Sequence, residues 1–90
     1  MGFRLTPARR DFLRLFCFGP VEVTDNGGRF LAYTAKGQLN KRISRRNFKA
    51  IVDAGYLQCR EVMAEDKFVT HALWEATAKA RELFPEIKGV

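Results

Sequence analysis

The stretch SRRNFKAIVDAG, residues 44–55, contains the clearest secondary-structure signal in this chain of 90 residues. Ser44 is a residue type that caps the start of helices, because its hydroxyl accepts a hydrogen bond from a backbone N–H of the first turn. Gly55 is the type that most often follows the end of a helix, since glycine adopts a left-handed backbone conformation without a steric penalty. The stretch therefore predicts a short helix over residues 44–54.

This predicted helix has two unlike faces when its residues are placed about 100° apart around the axis. The apolar side consists of Phe48, Ile51 and Val52, and the opposite side of Arg46, Lys49, Ala50 and Asp53. We expect the first face to pack against the rest of the protein and the second to remain in solvent as a basic surface.

Upstream of this helix, the pattern predicts another helix and a hairpin. Thr6 followed by Pro7 is a typical helix start, and apolar residues at helical spacing extend the helix over residues 7–18. Residues 21–34 alternate between apolar and polar around a glycine-rich turn, which is typical of a β-hairpin. Residues 31–39 also keep a four-residue apolar spacing, so a short helix in that segment remains an alternative.

Downstream, the pattern predicts a second hairpin and a final helix. Residues 56–63 and 68–75 read as two strands joined by the polar loop 64–67. Thr77 then caps a helix over residues 78–84, which a proline stops.

Positive charge is concentrated in one third of the chain. The whole chain has 16 Lys and Arg against 10 Asp and Glu, a net charge of +6. Residues 26–52 hold seven bases and no acid, so they carry +7, and the remaining nine bases and ten acids total −1. The seven bases are Arg29, Lys36, Lys41, Arg42, Arg45, Arg46 and Lys49. Such clustering indicates a polyanionic partner.

Other features of the sequence exclude several classes of protein. Its apolar runs are far shorter than the roughly 20 residues needed to span a bilayer, and the start lacks a signal-peptide pattern, so we expect a cytoplasmic protein. Cys17 and Cys59 lie in apolar segments without metal-type spacing, and we expect both to be free thiols in the core. His71 is the one histidine and has no partner at catalytic spacing. We therefore expect no enzyme activity, no cofactor and no metal site.

Residues 42–57 resemble the recognition helix and following strand of the winged helix-turn-helix family of bacterial and phage DNA-binding regulators. In that family a Ser or Thr cap opens the helix, and a glycine followed by an aromatic or aliphatic pair leads into the wing. Residues 74–84 resemble the end of the same fold, where the last wing strand runs through a threonine into a helix. One departure is that residues 21–39 look partly like a hairpin, where the family has a helix.

The resemblance implies a single α+β winged-helix domain over residues 1–90. Its expected architecture is about three helices, a C-terminal hairpin as the wing and an extra hairpin after the first helix. It also implies a set of DNA-contacting residues. Those facing the groove of the DNA would be Ser44, Arg45, Arg46, Asn47 and Lys49, those contacting phosphates Lys36, Lys41 and Arg42, and the contact from the wing Lys67.

The sequence thus favours a small regulator or phage accessory factor that binds double-stranded DNA, as a homodimer because one short helix buries little DNA surface. The alternative is a protein-interaction module, such as a phage-encoded inhibitor of a host nucleic-acid-binding complex, that uses the same basic face. RNA binding is less favoured, because no exposed aromatic side chain for base stacking is evident among the basic residues.

Overall fold

The structure, a computed structural model, describes residues 3–25, 29–33, 39–65 and 69–87. The chain begins with a helix, continues through three strands into a second helix, and ends with a hairpin and a short third helix. In chain order the elements are α1 (Pro7–Phe16), β1 (Val21–Asp25), β2 (Arg29–Tyr33), β3 (Leu39–Ser44), α2 (Arg45–Asp53), β4 (Leu57–Glu65), β5 (Thr70–Ala76) and α3 (Ala78–Arg81).

All five strands belong to one antiparallel sheet with the order β3-β2-β1-β5-β4. The central strand β1 pairs with β2 on one side and with β5 on the other, so that Val23 lies opposite both Ala32 and Ala72. This pairing joins the strands that precede α2 to the hairpin that follows it. Strands β3 and β4 form the two edges.

The predicted winged-helix fold is wrong, although the α+β class is correct. A winged helix has three helices and a small wing, and here a five-stranded sheet dominates the domain and the last helix has four residues. Strands β2 and β3 occupy the region in which the family has its middle helix, so the alternative of a helix over residues 31–39 is also wrong for the described part of that segment. No winged-helix docking geometry follows from this architecture.

Strand β3 was missed because it looks like a polar linker in the sequence. An edge strand has one neighbour and can leave much of its surface in water, so it needs few apolar residues. In β3, Ile43 is buried beside its partner Phe30, while Lys41 and Arg42 are exposed. Among the four residues 41–44, Ile43 is the one apolar residue, so this part of the strand has no period-two pattern.

The predicted helix starts are confirmed. The hydroxyls of Thr6, Ser44 and Thr77 each accept a hydrogen bond from the backbone N–H three residues later, at 3.3, 3.2 and 3.3 Å. The predicted end of α2 is also confirmed, since Gly55 has φ of +86°. The N–H groups of Gly55 and Tyr56 donate to the carbonyls of Val52 and Ile51, a pattern that satisfies the last turn of a helix.

The helices pack on one face of the sheet, and the ring of Phe48 is at the centre of their contact with it. This ring is stacked on Phe30 of β2 with centroids 4.0 Å apart, and it meets Phe12 of α1 at 5.9 Å and Trp74 of β5 at 5.0 Å in edge-to-face contacts. Phe48 is 2% exposed. One side chain therefore holds α2 against the first helix and two strands.

We expect Phe48→Ala to destabilise the protein by about 3–5 kcal/mol, because the substitution removes a buried ring and leaves a cavity between four elements. Chemical denaturation followed by circular dichroism measures this loss. The matched control is Phe18→Ala. Phe18 is 54% exposed, and among the described residues the one contact of its ring is with the guanidinium of Arg14. A loss for Phe48→Ala no larger than that for the control would contradict this view of the core.

Candidate functional site

Ser44 joins the two elements that carry most of the predicted site. It is the last residue of β3 and also the N-cap of α2, so no loop separates the strand from the helix. Its hydroxyl oxygen accepts the backbone N–H of Asn47. The structure therefore assigns Ser44 a capping contact, and the relative orientation of β3 and α2 is fixed at this residue.

Two of the residues that were predicted to face DNA have partners within the protein. Both Nη1 contacts of Arg45 go to Asp25, at 3.2 Å to Oδ1 and 3.0 Å to Oδ2, and the guanidinium lies over the ring of Phe30. Asn47 is half-buried, and its Oδ1 accepts a hydrogen bond of 3.0 Å from Nε of Arg9. These contacts hold α2 to β1 and to α1, so Arg45 and Asn47 are poorly placed to read bases.

The remaining predicted residues in the described chain form a surface that we call the basic strip, consisting of Lys41, Arg42, Arg46 and Lys49. All four side chains are exposed. In the part of the chain that the structure describes, none of them takes part in an ion pair or a side-chain hydrogen bond. Lys41 and Arg42 lie on the edge strand β3, where consecutive side chains point to opposite faces of the sheet, and Arg46 and Lys49 lie on the solvent side of α2.

Two other predicted residues, Lys36 and Lys67, lie outside the described residues.

One basic residue that the site prediction did not include lies next to the strip. Arg29 of β2 is exposed, and together with Arg42 and Ser44 it lines a shallow depression on the face of the sheet opposite the helices. Arg29 lies next to the strip because β2 pairs with β3, and the sequence alone does not show that pairing.

A groove of about 380 Å³ lies beside the strip, between α2 and the strands β4 and β5. Its lining is mainly apolar on the sheet side and partly charged on the helix side. The lining residues are Val23, Asp25, Phe30, Cys59, Val62, Thr70, Ala72 and Trp74 from the strands, and Arg45, Phe48, Lys49, Val52 and Asp53 from α2. Its size falls in the range of about 300–1,000 Å³ that is typical of small-molecule sites.

The sequence did not predict this groove. Trp74 and Val62 share one face of the β4–β5 hairpin, but α2 covers only part of that face, and nothing local in the sequence shows where a helix will stop covering a sheet. As a result Val62 is 56% exposed even though it faces the same side as the core. The Arg45–Asp25 pair is among the groups that line the groove, together with the ammonium of Lys49, which has no acidic partner among the described residues.

The two cysteines have different surroundings. Cys17 is buried, as expected, and burial raises the pKa of its thiol; the nearby Arg81 and Arg14 lower the pKa by smaller amounts and Glu86 raises it. The expectation that Cys59 is also in the core is wrong, because it is exposed and lines the groove. Its strand β4 is an edge of the sheet, and every residue of it after Leu57 is exposed.

His71 lies on the face of the sheet that is opposite the helices. Its Nδ1 is 3.0 Å from Oγ1 of Thr24 and 3.6 Å from Oε1 of Glu22, both on the adjacent strand β1. These contacts connect β1 to β5, and Thr24, although polar, is buried with its hydroxyl satisfied.

Within the described ranges no group of three or more His, Cys, Asp or Glu side chains is arranged to hold a metal ion. No helix in them has the length and apolar character needed to cross a bilayer.

We expect Ser44→Ala to lower the free energy of unfolding by about 1 kcal/mol, because the N–H of Asn47 loses its acceptor at the start of α2. Ser44→Thr is the matched control, since threonine keeps the hydroxyl that caps. Thermal denaturation of both variants tests the assignment, and an equal loss in the two would show that the hydroxyl contact is not what stabilises the helix.

We expect a water-soluble thiol reagent at pH 8 to modify Cys59 rapidly in the folded protein and Cys17 only after unfolding. Cys59 is exposed, whereas Cys17 is inaccessible and its raised pKa lowers the fraction of reactive thiolate at that pH. Counting modified thiols by mass spectrometry tests this expectation, with Cys59→Ser as the control that should abolish the rapid reaction. Rapid modification of two thiols in the native protein would contradict it.

Comparison of the chain with protein-family models, with curated proteins and with solved structures finds no match. The inference of function therefore depends on the geometry and charge of the basic strip and the groove.

Proposed function

We propose that the protein binds nucleic acid and that the basic strip contacts its phosphates. One observation supports this most directly. The four side chains of the basic strip are exposed and lack acidic partners among the described residues: Lys41, Arg42, Arg46 and Lys49. Other basic side chains of the described chain have contacts of their own: Arg45 and Arg60 are paired with carboxylates, and the guanidinium groups of Arg10 and Arg14 lie over aromatic rings. Unpaired cations in succession along one edge suit a partner that carries a regular series of negative charges.

Phosphate contact is favoured over the reading of bases by α2. Of the residue types that pair bidentately with base edges, Arg45 and Asn47 are held by Asp25 and Arg9. Lys49 has a flexible side chain that can follow a phosphate, and Arg46 lies in the first turn of α2, where no acidic residue is present. The positive end of the helix dipole therefore adds to the attraction for an anion.

The distribution of charge over the whole chain supports the same proposal. Residues 26–52 carry +7 and the other residues total −1, so the excess positive charge of the chain belongs to the segment that contains the strip. A concentration of positive charge attracts a polyanion and accelerates association at low ionic strength. An acidic protein surface is the alternative partner for the same cations, and it is distinguished by the experiment below.

The proposal also covers the compartment, the absence of catalysis and the oligomeric state. We propose that the protein acts in the cytoplasm, that it has no catalytic role, and that it works as a homodimer. A dimer is favoured because four phosphate contacts from a domain of this size give weak binding, and a second copy would double them.

The proposal predicts a steep dependence of affinity on salt. Each phosphate contact contributes about −0.7 to −0.9 to the slope of log K against log salt concentration, so four contacts predict a slope of about −3 to −4 per protomer. Fluorescence anisotropy with labelled single-stranded and double-stranded oligonucleotides measures it. We expect Arg46→Gln with Lys49→Gln to weaken binding to both and to reduce the slope by about 1.5–2.

The matched control for this experiment is Arg60→Gln with Lys79→Gln, which removes the same charge away from the strip. Arg60 is on the opposite edge strand β4, paired with Glu75, and Lys79 donates to the carbonyl of Ala54. Equal effects of the two double substitutions would mean that net charge alone attracts nucleic acid. Undetectable binding of any oligonucleotide at about 50 mM salt, an ionic strength at which phosphate contacts are strong, would contradict the proposal and leave an acidic protein partner.

A further inference from the structure

We propose that the groove between α2 and the β4–β5 hairpin holds an unpaired base of a single-stranded nucleic acid. This inference rests on the proposed function, because the strand would be held by the basic strip beside the groove. It adds the class of nucleic acid that the protein prefers and the place where a base is bound.

An aromatic side chain is available in the groove for stacking. Trp74 is half-buried and lines the groove, and the ring of Phe48, which also lines it, supports Trp74 in an edge-to-face contact at an interplanar angle of 89°. Aromatic side chains are the surfaces on which proteins stack bases from single strands, since every base has a π-face. The sequence shows no aromatic residue suited to stacking among the basic residues, but the β1–β5 pairing brings Trp74 to their side of the molecule.

The size of the groove suits one base better than a larger apolar partner. Its volume of about 380 Å³ is near the lower end of the range for small-molecule sites. Val62 and Ala72 form apolar parts of its lining, so a flat ring system would replace water there. A duplex cannot offer a base in this way, because its bases are stacked on each other and paired.

The charged groups of the groove complement the polar parts of a nucleotide. Lys49 belongs to the basic strip and also lines the groove, so its ammonium can contact the phosphate attached to a base that lies inside. Asp53 is one turn further along α2, is exposed, and has a carboxylate that accepts hydrogen bonds from the amino groups of cytosine or adenine. A cation for the phosphate and an acceptor for the base thus lie along one wall.

The test uses the fact that Trp74 is the only tryptophan in the chain, so intrinsic fluorescence reports from the groove. The probes are a single-stranded oligonucleotide of 12 bases, a duplex of the same sequence, and a strand with the same backbone in which every base is replaced by an abasic site. We expect quenching by the single strand, little by the duplex and none by the abasic strand. Affinity for the abasic strand should be lower by about 5- to 150-fold, the effect of losing one stacked base.

A matched pair of substitutions locates the effect in the groove. Val62 and Met63 are neighbours on β4, they are 56% and 53% exposed, and only Val62 lines the groove. We expect Val62→Glu to abolish the quenching and the preference for bases, and Met63→Glu, which makes the same change in charge, to retain both. Bound single strand should also slow modification of Cys59, which lines the groove, and this protection should be absent in Val62→Glu.

The outcomes separate this inference from the proposed function. If the abasic strand binds as tightly as the normal strand, with the same salt dependence, phosphate binding by the strip stands and the base site is overturned. The base site is also overturned if Met63→Glu acts like Val62→Glu. If a mononucleotide at matched concentration quenches as strongly as the 12-base strand, the claim that the basic strip holds the strand beside the groove is overturned. If no strand binds at about 50 mM salt, the proposed function itself fails.

Discussion

The contacts of the Phe48 ring are the interaction on which the rest of this structure depends. A helix of nine residues is not stable in water by itself, so α2 exists because its apolar side is buried. Phe48 and Ile51 are the buried residues of this side, and Phe48 lies at the point where α1, β2 and β5 meet. The same ring supports Trp74. The position of the helical part of the basic strip and the shape of the groove therefore both depend on the packing of Phe48.

Much of the local structure could be predicted from the sequence, because its signals lie within a few residues of one another. Ser44 and Gly55 bound their helix through contacts with adjacent turns, and the hairpin after α2 needs only alternating residues around a polar loop. The pairing of β1 with β5 could not be predicted in this way. It joins Val23 to Ala72, which are 49 positions apart, and no local pattern records such a contact.

In the candidate site, too, the local features could be predicted from the sequence and the long-range contacts could not. The concentration of bases between residues 26 and 52 predicted a cationic surface, and the exposed residues of the basic strip are in that segment. The sequence could not show which of these bases are already paired. Arg45 meets Asp25 and Asn47 meets Arg9 only because the fold brings distant segments together. A count of charges therefore overestimates the number of groups that are available to a partner.

The direct connection of β3 to α2 at Ser44 has a consequence for the thermodynamics of binding. With no loop between the strand and the helix, the backbone that carries Arg42 and Arg46 is ordered before a partner arrives. Association then restricts mainly the side chains, and the conformational entropy lost on binding is small compared with that of a disordered basic tail. If the proposed function is correct, nucleic acid should meet cations carried on an ordered backbone, and the heat-capacity change of binding should lack the large negative contribution of coupled folding.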